Sequence, residues 1–202
     1  MDRRTFFRLT LIGMAGFLMG HSPYRQWVVY RRKRLFILTS AAEETAFPFG
    51  QTVAQVLAIY FPESQAMAAR ARDSLEIVKL IGSQQLDVAL LQADEAQDAF
   101  QGKGKFQEEG PLPTLRTLFV FGSYLLVCRE DFSKQKAYQI VKTLAEHEEK
   151  WKSPGLDSAE SANFFTKNNS SLQTMNFIPP FHPGTLDFYE GRPFPTEQEE
   201  MH

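Results

Sequence analysis

Four histidines and one cysteine are the side chains best suited to nucleophilic, acid–base or metal chemistry, and their placement argues against all three. His21 follows an apolar run near the start. His147 stands among Glu146, Glu148 and Glu149, His182 lies in a Pro-rich turn, and His202 is terminal. A zinc site needs three or four ligands at defined short spacings, and these histidines offer none. Cys128 closes the apolar run Leu125-Leu126-Val127-Cys128, where a thiol is buried and inert rather than ionised. The chain has no Gly-x-Ser-x-Gly elbow, no phosphate loop and no Gly-x-Gly-x-x-Gly. The expectation is therefore no enzyme, no metal and no cofactor. An enzymatic reading would need Glu43 and His182 brought together by the fold.

Binding is better served than catalysis. Thr39-Ser40, Ala71 to Ser74 and Gln92 to Asp94 put hydroxyl, amide and carboxyl groups after short apolar segments. If those segments are parallel strands, these groups share the carboxyl edge of a sheet, where open α/β folds take their ligands. Hydroxyls and free helix N-termini there suit a carboxylate. On residue chemistry alone Ser74 and Asp94 fit better as caps of their own helices.

The elements needed to position these groups can be read from periodicity. Leu35 to Thr39 and Val88 to Leu91 are short, fully apolar runs, as in strands buried on both faces, and Ala66 to Ala71 is a weaker strand candidate. Pro48 suits a first helical turn, followed by Val53, Val56, Leu57, Tyr60 and Phe61 at helical spacing and a stop at Pro62. Asp73 begins a second helix with Glu76 placed for a capping box and Gly82 as its C-terminal cap. A third helix runs from Asp94 to Phe100. Residues 102–114 hold three glycines and two prolines and read as loop. Residues 115–128 give one or two strands broken at Gly122-Ser123, and Ser133 caps a helix to about Lys150. The alternation predicts an α/β fold with a mostly parallel sheet flanked by helices, followed by an irregular C-terminal segment.

Charge divides the chain. Its 202 residues carry a net charge of −2, which does not suggest a nucleic-acid partner. Eight of the 22 Lys/Arg nevertheless lie in residues 1–34 with the single acid Asp2, so the body is acidic. Asp2-Arg3-Arg4-Thr5-Phe6-Phe7-Arg8 followed by a short apolar run has the layout of an export signal, with an order similar to a twin-arginine signal. The run is short for a membrane span, and no clear cleavage site follows. The expected location is periplasmic, with residues 4–20 as a tether to the inner membrane if the signal stays uncleaved. The cluster Tyr30-Arg31-Arg32-Lys33-Arg34 fits either anionic lipid or a solvated linker. Three regions result: an export signal or anchor with a basic linker over 1–33, an α/β lobe over 34–150, and an irregular segment packing on the lobe over 151–202.

Three segments carry a resemblance. Leu35 to Ser40 with Phe47-Pro48-Phe49-Gly50, then Ser74-Leu75-Glu76 through Leu86-Asp87-Val88-Ala89-Leu90-Leu91-Gln92-Ala93-Asp94, then His182-Pro183-Gly184 with Phe188-Tyr189 occur in order. Together they resemble the TAXI family of extracytoplasmic solute-binding proteins that serve TRAP-type transporters. The resemblance implies one lobe of a periplasmic-binding-protein-like fold of type II. It also implies a small carboxylate or amino-acid ligand held by Thr39, Ser40, Phe47, Ser74, Gln92 and Asp94, and TRAP membrane subunits as partners.

The chain departs from the family pattern in two ways. No second lobe stands between the strand ending near Arg129 and the helix from Ser133. The family's glycine-rich turn is replaced by Ser40-Ala41-Ala42-Glu43-Glu44-Thr45-Ala46, Ile77 stands for an Asn, and Ala93 for a Ser. The alternative reading is a lobe that binds no ligand and acts as a periplasmic interaction or accessory module.

Overall fold

The computed structural model describes residues 34–152 and 179–194. The export-signal, tether and linker expectations for 1–33, and the tail from 196, lie outside the described residues. Five strands form one sheet: β1 (Phe36–Ser40), β2 (Met67–Ala71), β3 (Val88–Gln92), β4 (Leu115–Phe121) and β5 (Tyr124–Arg129), in the order β2-β1-β3-β5-β4. β1 pairs in parallel with β2 and β3, whereas β5 runs antiparallel between β3 and β4. The sheet is thus a parallel core with one reversed strand. The reversal follows from the Gly122-Ser123 break: a two-residue turn forces the chain back on itself, and Gly122 supplies the positive φ of 61° that such turns need.

Helices cover both faces. On one side lie α1 (Ala46–Tyr60), α4 (Lys134–Glu146) and α5 (Glu148–Trp151); on the other lie α2 (Ser74–Gly82) and α3 (Ala93–Gln101). The strands divide their side chains accordingly. Ile37, Val88, Leu90, Leu126 and Cys128 join the first core, and Leu38, Ala89, Leu91, Leu125 and Val127 the second. Since successive strand residues point to opposite faces, an unbroken apolar run is what a strand covered twice requires. Each Val, Ile or Leu among them contributes roughly 1.5–3 kcal/mol by leaving water. An aromatic cluster extends the first core, with Phe49 edge-on to Phe121 at 5.1 Å and Phe121 edge-on to Trp151 at 4.8 Å.

Several local expectations are refined. The Asp73 carboxylate accepts from Glu76 N at 2.8 Å, but the Glu76 carboxylate turns to Arg72 N at 2.7 Å, one residue short of a reciprocal box. Gly82 is not the C-terminal cap of α2. The helix runs through it to Ser83, and the left-handed residue is Gln84, with φ 61°. The helix expected to reach Lys150 breaks at His147, whose ring stacks on Tyr60 at 3.6 Å. The loop 102–114 holds a one-turn helix, Gly104–Phe106, that buries Phe106 completely.

Within the end read as irregular, Pro183–Tyr189 form a further helix, α6. The chain before it lies along β4: Thr117 N donates to Pro180 O at 2.8 Å and His182 N donates to Thr117 O at 2.9 Å. A Cβ on Gly184 would stand 2.4 Å from Lys134 O and 2.9 Å from Ala137 Cβ, so only glycine lets α6 approach α4 this closely. Among the described residues no helix is long and apolar enough to cross a membrane.

Candidate functional site

The register brings the carboxyl ends of the parallel strands to one edge. Ser40 stands beside Ala71, and Gln92 lies opposite Tyr124, which in turn pairs with Phe121 across the hairpin. The β1–α1 loop, the start of α2 and the start of α3 meet this edge, so Ser40, Ser74, Gln92 and Asp94 are gathered there as expected.

Each of these groups is engaged by the protein itself. Ser40 is buried, and its Oγ accepts from Ala42 N at 3.2 Å. Ser74 is 1% exposed and donates to Glu95 Oε1 at 2.9 Å, an oxygen that also takes the Lys105 ammonium. The other Glu95 oxygen is buried without a hydrogen-bond partner. Gln92 stands opposite Tyr124 across the β3–β5 pairing. Asp94 is exposed and accepts from Glu95 N at 2.9 Å within the first turn of α3. Asp94 thus stands inside the first turn, where the helix dipole favours a carboxylate, while the N-cap position is Gln92 and carries no side-chain cap.

Two of the expected residues serve packing instead. Thr39 is fully buried, donates to Ala69 O at 3.2 Å, and presses its methyl group against α1 at Gly50, where an added Cβ would lie 2.5 Å from it. Gly50 is needed for that close approach of helix and strand. Phe47 is half-buried beneath the Arg70 guanidinium, 3.9 Å from its ring centre, a cation–π contact on the β2 side of the sheet.

Tyr124 and Glu43 complete the edge. The Tyr124 hydroxyl donates to Glu43 Oε2 at 3.0 Å and pairs with Thr45 Oγ1 at 2.9 Å. Burial, followed by Glu43, pushes the phenol above its ordinary pKa, so it stays a neutral donor. Glu43 therefore lies over the edge, and a ligand carboxylate arriving about 5 Å from it meets a repulsion of about 1–3 kcal/mol. Tyr124 was not singled out from its sequence neighbours. The Gly122-Ser123 turn was its signal, because a two-residue hairpin places the next residue at the strand ends.

Glu43 and His182 do not meet. Glu43 is held by Tyr124, while His182 is fully buried, with its Nδ1 accepting from Gly184 N at 3.1 Å and its ring facing the Phe132 and Glu130 backbone. Cys128 is fully buried, and burial pushes its thiol up, so it is not a nucleophile at neutral pH. Among the described residues no group of three or more His, Cys, Asp or Glu is arranged to hold a metal ion.

No curated protein matches the chain. A family model does: residues 37–123, which run from β1 to the β4–β5 turn and contain every group of the carboxyl edge up to Ser123, match the NMT1-like family, so over that span the chain is similar to a periplasmic-binding-like family.

Proposed function

We propose that the chain is a solute-binding-like lobe that works outside the cytoplasm as an interaction module, its ligand edge closed by its own side chains. The observation that carries this is the Glu43–Tyr124–Thr45 network, which occupies the edge and turns negative charge toward any incoming carboxylate. The match of residues 37–123 supports the solute-binding-like part of the reading. The reading is non-enzymatic. It names a TRAP-type membrane subunit or another periplasmic protein as partner, and it sets the chain in the periplasm, with residues 4–20 as the tether if the signal is retained.

A second reading keeps the receptor role, with a small organic acid or amino acid as ligand. It is favoured by the grouping of Ser40, Ser74 and Gln92 on one edge. Thermal unfolding of the full chain with a panel of small carboxylates and amino acids separates the two. A ligand at one hundred times its dissociation constant stabilises by about 2.7 kcal/mol, a shift of a few degrees at this size. The interaction-module reading expects no saturable shift. A saturable shift that Gln92→Ala removes would replace it with the receptor reading.

A further inference from the structure

Residues 179–189 are fastened to the sheet through buried polar contacts. Thr117 Oγ1 donates to Pro179 O at 2.8 Å, and Thr185 Oγ1 donates to Leu118 O at 3.2 Å. His182 sits between these two fastenings with no exposed surface. Its Nδ1 takes the Gly184 N–H and so must be the unprotonated nitrogen, which leaves the single proton on Nε2. That Nε2 is buried and closes no hydrogen bond. The Phe132 ring stands edge-on at 6.2 Å.

No free anion awaits a charged imidazole here. From β4 it is faced by Arg116, and from the start of α4 by Lys134. In the β5–α4 turn the Glu130 carboxylate is paired with Arg116, and the Asp131 carboxylate with Arg129. On α6 itself Asp187 and Glu190 are both paired with Arg192.

We propose that His182 is the pin of an acid-released clasp: residues Phe181–Tyr189 stay docked on β4 and α4 while the imidazole is neutral, and they detach when it takes up a proton. The incoming proton must bind Nδ1. It replaces the acceptor of the Gly184 N–H with a donor, uncaps α6, and leaves a buried cation beside Arg116 and Lys134. Detachment bares the backbone of β4, turning a covered strand into an open sheet edge able to pair with another strand.

The direction of the pH effect follows from the same contacts. Burial, aided by Arg116 and Lys134, outweighs the Phe132 and Glu130 backbone groups that favour the charged form, and holds His182 down to about 4 from its ordinary 6.5. The detached state therefore takes up a proton first. The clasp is fully held above pH 6.5 and loosens as pH falls toward 4.

Native-state hydrogen exchange of the full chain from pH 7 to pH 4, corrected for intrinsic exchange, tests this. The amides of Thr117, His182, Thr185 and Leu186 should lose protection by about tenfold per pH unit, the slope of one proton. Those of Leu90 and Leu126 in the central strands should hold. In His182→Asn, which keeps an acceptor but does not titrate, the loss should vanish. Equal loss in the variant, loss shared by the central strands, or no loss in the wild type would each overturn the proposal. Should the variant not fold, the His182 ring resonances of the wild type decide: their titration must track the loss of clasp protection, and a separate midpoint refutes it.

Discussion

At the carboxyl edge of the sheet polar side chains meet one another; at the β4 clasp they meet main chain. The edge joins Ser74 to Glu95 and Lys105, and Glu43 to Tyr124 and Thr45, with Lys105 and Thr45 exposed. The clasp joins Thr117, His182 and Thr185 to backbone groups, and all three are fully buried. Both regions are built from hydroxyls and ionisable side chains. Their surroundings give them different work. At the Thr45 and Lys105 ends of the edge water can replace a lost partner, so there the network sets charge and shape at little cost in stability. At the clasp no water replaces it, so each bond holds the end of the chain in place.

Four substitutions bear on that contrast, beginning with the largest expected effect. Gly184→Ala puts a methyl group against the Lys134 carbonyl, which as helix backbone cannot retreat. We expect a loss of about 3 kcal/mol in urea unfolding, the upper end for overpacking. A change under 0.5 kcal/mol would show that α6 is held less tightly than the contacts imply. Gly50→Ala meets the Thr39 methyl group and should cost about 2 kcal/mol. Adding Thr39→Ser, which removes that methyl, should recover most of the loss. Failure of the double variant to recover would return Thr39 to the list of ligand candidates. Tyr124→Phe removes the hydrogen bonds to Glu43 and Thr45 and should cost about 1 kcal/mol. A loss of several kcal/mol would make the edge as structural as the clasp and erase the distinction.

Much of the architecture was legible in residues 35–150. The unbroken apolar runs Leu35 to Thr39 and Val88 to Leu91 indicated strands covered on both faces, and the core divides along their alternation. Asp73 and Ser133 indicated helix starts, and both side chains accept a backbone N–H there. A glycine near a helix end suggests a left-handed cap, but α2 stays helical through Gly82 and the left-handed residue is Gln84. The gathering of Ser40, Ser74, Gln92 and Asp94 followed from topology alone. Their occupation did not, since nothing local says that Ser74 meets Glu95, 21 residues away, or that Tyr124 meets Glu43 at a separation of 81.

By itself, then, the sequence determined the elements, the two-sided burial of the sheet and the edge at which polar groups collect. These depend on side-chain periodicity and on turn residues acting over a few positions. Tertiary structure alone decided what those polar groups do. It set Tyr124 beside Gln92 and brought Glu43 to the Tyr124 hydroxyl. It also drew the His182-Pro183-Gly184 segment out of solvent and onto β4. Such outcomes depend on which distant groups arrive at bonding distance, and on whether water remains once they do.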